Sequence, residues 1–276
     1  MATRKTDAPR LADRLAVKPG SSVYLKDWDP AGTFGWTKEK AATKTGEDLV
    51  RIASLQERLW AERRHPVLVV LQGIDAAGKD GTIGHVMTVL NPQGAPVTGF
   101  GVPTTTELAH DYLWRAHAAM PKKGEIGIFN RSYYEDVLVV RVHGLVPKAI
   151  WARRFGQIND FEKMLTQEGT TVIKFFLLID HDEQRQRLQA RYDDPTKRWK
   201  FKMGDLDERK LWDDYTIAFE EALSRCSTAI APWYVIPANR KWFRNLAVSE
   251  ILADRLAALK PAYPPSVDLP PNLVIE

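Results

Sequence analysis

Gly73-Ile74-Asp75-Ala76-Ala77-Gly78-Lys79-Asp80-Gly81-Thr82 fits the phosphate-cradling spacing G-x-x-x-x-G-K, with Asp80 where Ser or Thr usually follows the lysine. Glycines let the backbone turn tightly and approach an anion. Amides at the start of the following helix point at it, and Lys79 adds a point charge. The phosphate-contacting set is therefore read as Gly73, Ala76, Ala77, Gly78, Lys79, Asp80, Gly81 and Thr82. Asp75 places a carboxylate inside the loop. Among phosphates it would repel unless a divalent cation lay between, so it reads as a magnesium ligand, with a helix cap as the alternative. Asp80 reads equally as a cap or as half of a loop-stabilising salt bridge.

A second cluster is Asn130-Arg131-Ser132-Tyr133-Tyr134-Glu135-Asp136. In phosphate-loop kinases the equivalent strand end usually carries an acid that holds magnesium through water. Asn130 brings no charge but can bond a metal-bound water, and Glu135 or Asp136 can supply the charge. Arg131 suits a phosphoryl clamp, against the plainer reading of a surface salt bridge. Glu135 also reads as an ordinary helix-start residue. Further on the N-terminal side, Arg115 and Glu107 are expected to face an acceptor pocket. His110 is read as structural, with Leu113 and Trp114 in the core. Arg191 to Lys202 is basic and aromatic, and its position suggests a lid that closes over phosphates; a solvated loop or a nucleic-acid patch is the alternative. Lys79, Arg131, Arg141, Arg191, Lys197, Arg198, Lys200 and Lys202 exceed what one ATP needs and suit a longer polyanion.

The elements that must position these groups alternate. Strands are predicted at 67–72, 96–101, 125–129, 171–179 and 232–236. Helices are predicted at 44–64, 79–90, 106–119, 133–142, 147–168, 182–191, 207–225 and 241–259. Such alternation implies an α/β fold with a mostly parallel sheet covered on both faces. Ligands bind at the carboxyl ends of such strands, after Leu71, Gly101, Phe129 and Ile179. The chain has 276 residues, 44% of them hydrophobic, enough for one large domain. Residues 1–45 read as an N-terminal extension with little regular structure, 46–260 as the kinase domain with a lid at about 182–215, and 261–276 as a Pro-rich tail. The single cysteine, Cys226, excludes an internal disulfide, fits the cytoplasm and is expected in the core. No apolar run is long enough to cross a membrane, and the N-terminus lacks a signal peptide's apolar stretch. The net charge of +4 favours an anionic partner only weakly.

These motifs, with Asn91-Pro92-Gln93-Gly94 and His110-Asp111-Tyr112-Leu113-Trp114-Arg115, resemble the polyphosphate kinase 2 family over about residues 19–261. The resemblance implies a thymidylate-kinase-like phosphate-loop core, a three-layer αβα sandwich with a helical lid. It implies transfer of a terminal phosphoryl group between inorganic polyphosphate and a nucleotide, with magnesium or manganese. Asn130 with Glu135 nearby is similar to the class that phosphorylates AMP as well as ADP. By the same resemblance Asp75, Lys79, Arg131 and Arg191 are the catalytic set and Asp75 the metal ligand. Lys197 and Lys200 close the lid, and the subunit is expected in a dimer or tetramer. Rival readings are an ATP-dependent nucleoside or nucleotide kinase, a non-catalytic nucleotide or polyanion-binding module, and, more weakly, a nucleic-acid binder.

Overall fold

Val67–Gln72 forms strand β1, and every residue of it is buried. A strand apolar on both faces belongs in the middle of a parallel sheet. In the computed structural model, which describes residues 10–265 and 274–275, β1 is central in the order β2-β3-β1-β4-β5. The others are β2 (Val97–Gly99), β3 (Ile126–Asn130), β4 (Thr171–Leu178) and β5 (Trp233–Pro237), and all pairings are parallel. The helices are α1 (Leu11–Leu15), α2 (Lys38–Glu62), α3 (Lys79–Val86), α4 (Thr105–Leu108), α5 (Trp114–Ala118), α6 (Val139–Val142), α7 (Lys148–Gln167), α8 (His181–Asp193), α9 (Gly204–Lys210), α10 (Trp212–Cys226) and α11 (Lys241–Ala258).

Alternation along the strands builds two cores. Val67, Val69 and Leu71 face α1, α2, α3 and α11, while Leu68 and Val70 face α5, α7 and α10. This is the three-layer αβα phosphate-loop kinase fold. Among the described residues, no helix is long and apolar enough to cross a membrane.

Several expected bounds shift. The helix placed at 44–64 starts at Lys38, where the Thr37 hydroxyl accepts from the Lys40 amide at 3.4 Å. Before it, the segment read as loosely structured is tied to the core. Leu11 and Leu15 are buried, the Val17 amide donates to the Trp233 carbonyl at 2.8 Å, and Ala16 bridges Tyr234. Helix 79–90 ends in a 3₁₀ turn at Met87–Val89. Helix 106–119 is two pieces, because the Asp111 carboxylate accepts from the Leu113 amide and opens a new turn. Helices 133–142 and 207–225 divide likewise, at Tyr133–Asp136 followed by α6, and between α9 and α10. Trp114 is not in the core: it is half-exposed and stacks on His110. Pro261, Pro264 and Pro265 have no regular secondary structure, and Pro270 and Pro271 lie outside the described residues.

Candidate active site

The loop after β1 leads straight into α3, so three amides of the first helical turn stay free for an anion. Two of its glycines are required by close approach. A side chain at Gly73 (φ 152°) would meet the Leu177 carbonyl oxygen at 2.8 Å, and one at Gly78 (φ 110°) would run into the Arg244 guanidinium. Ala76 (φ 65°) and Arg131 (φ 63°) hold the left-handed conformation without being glycine, and both sit at the site. Strain of that kind persists where the surroundings fix the backbone.

Lys79 turns back over the loop, donating to the Gly73 carbonyl at 2.6 Å and the Ile74 carbonyl at 3.3 Å. Burial, helped by Arg131, pulls its ammonium below the usual lysine value, against Asp75, Glu135 and Asp80. At the end of β3, beside β1, the Arg131 amide donates to the Leu71 carbonyl at 3.0 Å. The guanidinium then bridges two acids, Asp75 at 2.5 Å and Glu135 at 3.1 Å. Burial opposes ionisation of Asp75, but Lys79, Arg131 and Arg191 outweigh it and hold its carboxyl below the ordinary value. Asn130 donates to Asp80 at 2.7 Å, so the amide and the unusual acid after Lys79 hold each other.

These groups line a cavity of about 1300 Å³ together with Arg191, Lys197, Lys200 and Lys202 of the basic segment. Arg191 is held 3.5 Å from Asp205. Gly73, Asp75, Ala76, Gly78, Lys79, Asp80, Gly81, Asn130, Arg131 and Glu135 all reach the cavity wall. Ala77 and Thr82 do not: both are fully buried, and the Thr82 hydroxyl donates to the Gly78 carbonyl at 3.0 Å. Arg115 is also outside it. It donates to the Gly101 carbonyl at 2.9 Å, lies 3.9 Å from Asp136 and stacks on Phe100. Arg141 pairs with Glu221 and lies over Trp151, and Arg198 lies over Tyr192. Glu135 serves first as the partner of Arg131.

Sequence reasoning missed Arg187, Lys241 and Arg244 on the cavity wall. Arg187 precedes Arg191 by four residues, one helical turn, which is a readable signal. Arg244 comes from α11, far along the chain, and left none.

Among the described residues, no three His, Cys, Asp or Glu side chains converge into a metal cage. Asp75 offers a carboxylate whose second oxygen accepts no hydrogen bond from the described residues. Such a donor set fits a hard divalent ion that takes its other ligands from phosphates and water.

Asp136, deeper than Glu135, has its carboxyl pushed up to about 6 by burial, against Arg154 and Arg115. The folded state therefore keeps this proton at a pH where the unfolded chain has released it, and stability falls as pH rises from about 4 to about 6. Asp136→Asn removes this contribution. The unfolding free energy of the wild type relative to the variant should drop by about 2 kcal/mol over that window in urea titrations. A flat difference would show that Asp136 titrates normally.

A parallel sheet with a glycine loop, a lysine and converging guanidiniums at its carboxyl edge defines a phosphate-loop phosphotransferase. The comparison with known families goes further. The chain belongs to the polyphosphate kinase 2 family, whose model matches residues 36–263, and the enzyme is a polyphosphate-dependent phosphotransferase. It is 53% identical over 265 residues to a Meiothermus ruber protein named AMP/ADP-polyphosphate phosphotransferase, covering 95% of this chain and 99% of that protein. An ADP-polyphosphate phosphotransferase of Rhodopseudomonas palustris is 44% identical, with 91% of each covered. The crystal structure of polyphosphate kinase 2 from Arthrobacter aurescens TC1 superimposes with a TM-score of 0.90 at 44% identity, over 95% of this chain and 94% of that one.

Proposed function

We propose that the enzyme transfers the terminal phosphoryl group of inorganic polyphosphate to AMP and to ADP, giving ADP and ATP. The observation that carries this reading is one cavity in which the phosphate loop meets basic side chains from the turn after β3, α8, the lid segment and α11, more than a nucleotide requires. The AMP-accepting assignment is supported by the higher identity to the relative named for both nucleotides than to the one named for ADP alone.

In this reading an oxygen of the acceptor's phosphate attacks the end phosphorus of polyphosphate. The bond from that phosphorus to the next bridging oxygen breaks, and the shortened chain leaves with the electron pair. The attacking oxygen is already ionised, so positioning and charge neutralisation replace a strong base. Lys79 and the free amides hold donor phosphates, and Arg131 and Arg191 balance charge on the transferring group. The family depends on a divalent metal; magnesium, or manganese, held at Asp75 would neutralise phosphate charge there. Residues 182–215 act as the lid of a kinase unit spanning 46–260, with Lys197 and Lys200 over the phosphates. A homo-oligomer, dimer or tetramer, in the cytoplasm completes the reading; the buried free thiol of Cys226 suits a reducing compartment.

Nucleotide chromatography after incubation with AMP, magnesium and long-chain polyphosphate, without ATP, tests it. ADP and then ATP should appear, and EDTA should abolish both. ATP formed only from ADP would remove AMP from the substrates. No product from either would return the site to an ATP-dependent kinase.

A further inference from the structure

Four successive carbonyls of the phosphate loop are tied to side chains from outside it. The Gln184 amide donates to the Asp75 carbonyl at 3.0 Å. Arg187 Nη1 donates to the carbonyls of Ala76, at 3.0 Å, and Ala77, at 2.8 Å. Arg244 Nη1 donates to that of Gly78 at 3.2 Å. A trans peptide points its carbonyl and its N–H in opposite directions. Fixing these four oxygens therefore fixes the direction of the next four amides. The Ala77 amide is used within the loop, bonding the Ile74 carbonyl at 3.1 Å. Those of Ala76, Gly78 and Lys79 find no backbone acceptor among the described residues, and their loop lines the cavity.

The three side chains are themselves immobilised. Gln184 is buried, and its oxygen accepts from Arg209 of α9 at 3.0 Å. The Arg187 Nε donates to Glu183 at 2.6 Å, while its Nη2 donates to the carbonyls of Ala238 and Asn239 beyond β5. Arg244 is 3% exposed, and the Asn245 side chain accepts from it at 2.7 Å. Arg244 bonds only Asn245 and the Gly78 carbonyl among the described residues, so the support adds net positive charge beside the loop at the cavity wall. Gln184 and Arg187 both project from α8, which also carries Arg191 and continues into the basic segment from Lys197 to Lys202. The orientation of the loop is thus coupled to the element that carries the lid.

We propose that Gln184, Arg187 and Arg244 are positioning residues for donor polyphosphate: they hold the loop's carbonyls outward so that its amides stay turned toward the donor's phosphates. This rests on reading the loop as the donor's seat.

Steady-state kinetics on the full-length enzyme test it, varying polyphosphate and nucleotide separately and recording Tm for each variant. Gln184→Met keeps the volume and loses both hydrogen bonds, the one to the Asp75 carbonyl and the one from Arg209, so KM for polyphosphate should rise about three- to tenfold. Arg187→Met should raise it further, and KM for the nucleotide should move less than about twofold, because only donor contacts are disturbed. Arg187→Lys should not restore the wild-type value, since one ammonium lacks the planar fork that reaches both sets of carbonyls. A folded Gln184→Met variant with wild-type KM for polyphosphate would overturn the proposal, as would full rescue by Arg187→Lys. Wild-type enzyme that fails to use polyphosphate would instead sink the reading beneath it, before any variant is made.

Discussion

Lys79→Ala lowers kcat with polyphosphate as donor by about 10²- to 10³-fold, the loss expected when one group that stabilises transition-state charge is removed. The ammonium lies at the first position of α3, held by two loop carbonyls, where burial and Arg131 pull it below the usual lysine value against Asp75, Glu135 and Asp80. Nothing else on the loop itself supplies a positive charge; Arg131 reaches the loop at Asp75 but is engaged there by two acids. Tm should change little, because the lost hydrogen bonds are offset by relief of a buried charge beside a guanidinium. Initial rates by nucleotide chromatography, with Tm as the control, decide the matter. A folded Lys79→Ala enzyme with near-full activity would show that transfer does not depend on charge at this point.

What could be read from the sequence follows the range of the interactions. The phosphate loop was legible because its chemistry is local: an apolar strand, glycines at fixed spacing and a helix start all lie between Val67 and Val86. Four of the five strands were legible because each is a short, mostly buried and apolar run, whereas the edge strand β2, Val97–Gly99, is largely exposed. Helix breaks inside 106–119 and 133–142 were not, since they depend on side-chain caps such as Asp111 and on 3₁₀ turns that apolar periodicity does not distinguish from α-helix. Arg115 shows the corresponding limit for the site. It was expected to face the acceptor pocket from its place in the segment after the second strand, yet the buried Asp136 and the Gly101 carbonyl hold it outside. Arg244 shows the converse, a long-range contact that no local pattern announces.

The same distinction applies to the support beneath Arg131, and there a large loss of stability is expected. Lys174, in the middle of β4, and Glu162, on α7, are both fully buried and joined at 2.6 Å. The other Glu162 oxygen accepts from the hydroxyls of Tyr133 at 2.9 Å and Tyr134 at 2.8 Å, three residues or fewer beyond Arg131. Lys174 also donates to the Cys226 carbonyl at 2.7 Å and the Tyr134 hydroxyl at 3.0 Å. Lys174→Met removes one partner and leaves an uncompensated carboxylate in the core, at a cost of about 3–5 kcal/mol. For a domain of this size that is a fall in Tm of roughly 10 °C. Adding Glu162→Gln should recover part of it: the negative charge disappears, while the amide oxygen can still accept from both tyrosines. Recovery stays incomplete, because the Cys226 carbonyl keeps no donor. If the double variant is no more stable than Lys174→Met alone, the penalty lies in packing around the methionine rather than in the stranded charge. The turn that sets the left-handed backbone of Arg131 would then rest on the tyrosine rings, Tyr134 against Trp233 and Tyr133 against Phe161, rather than on the ion pair.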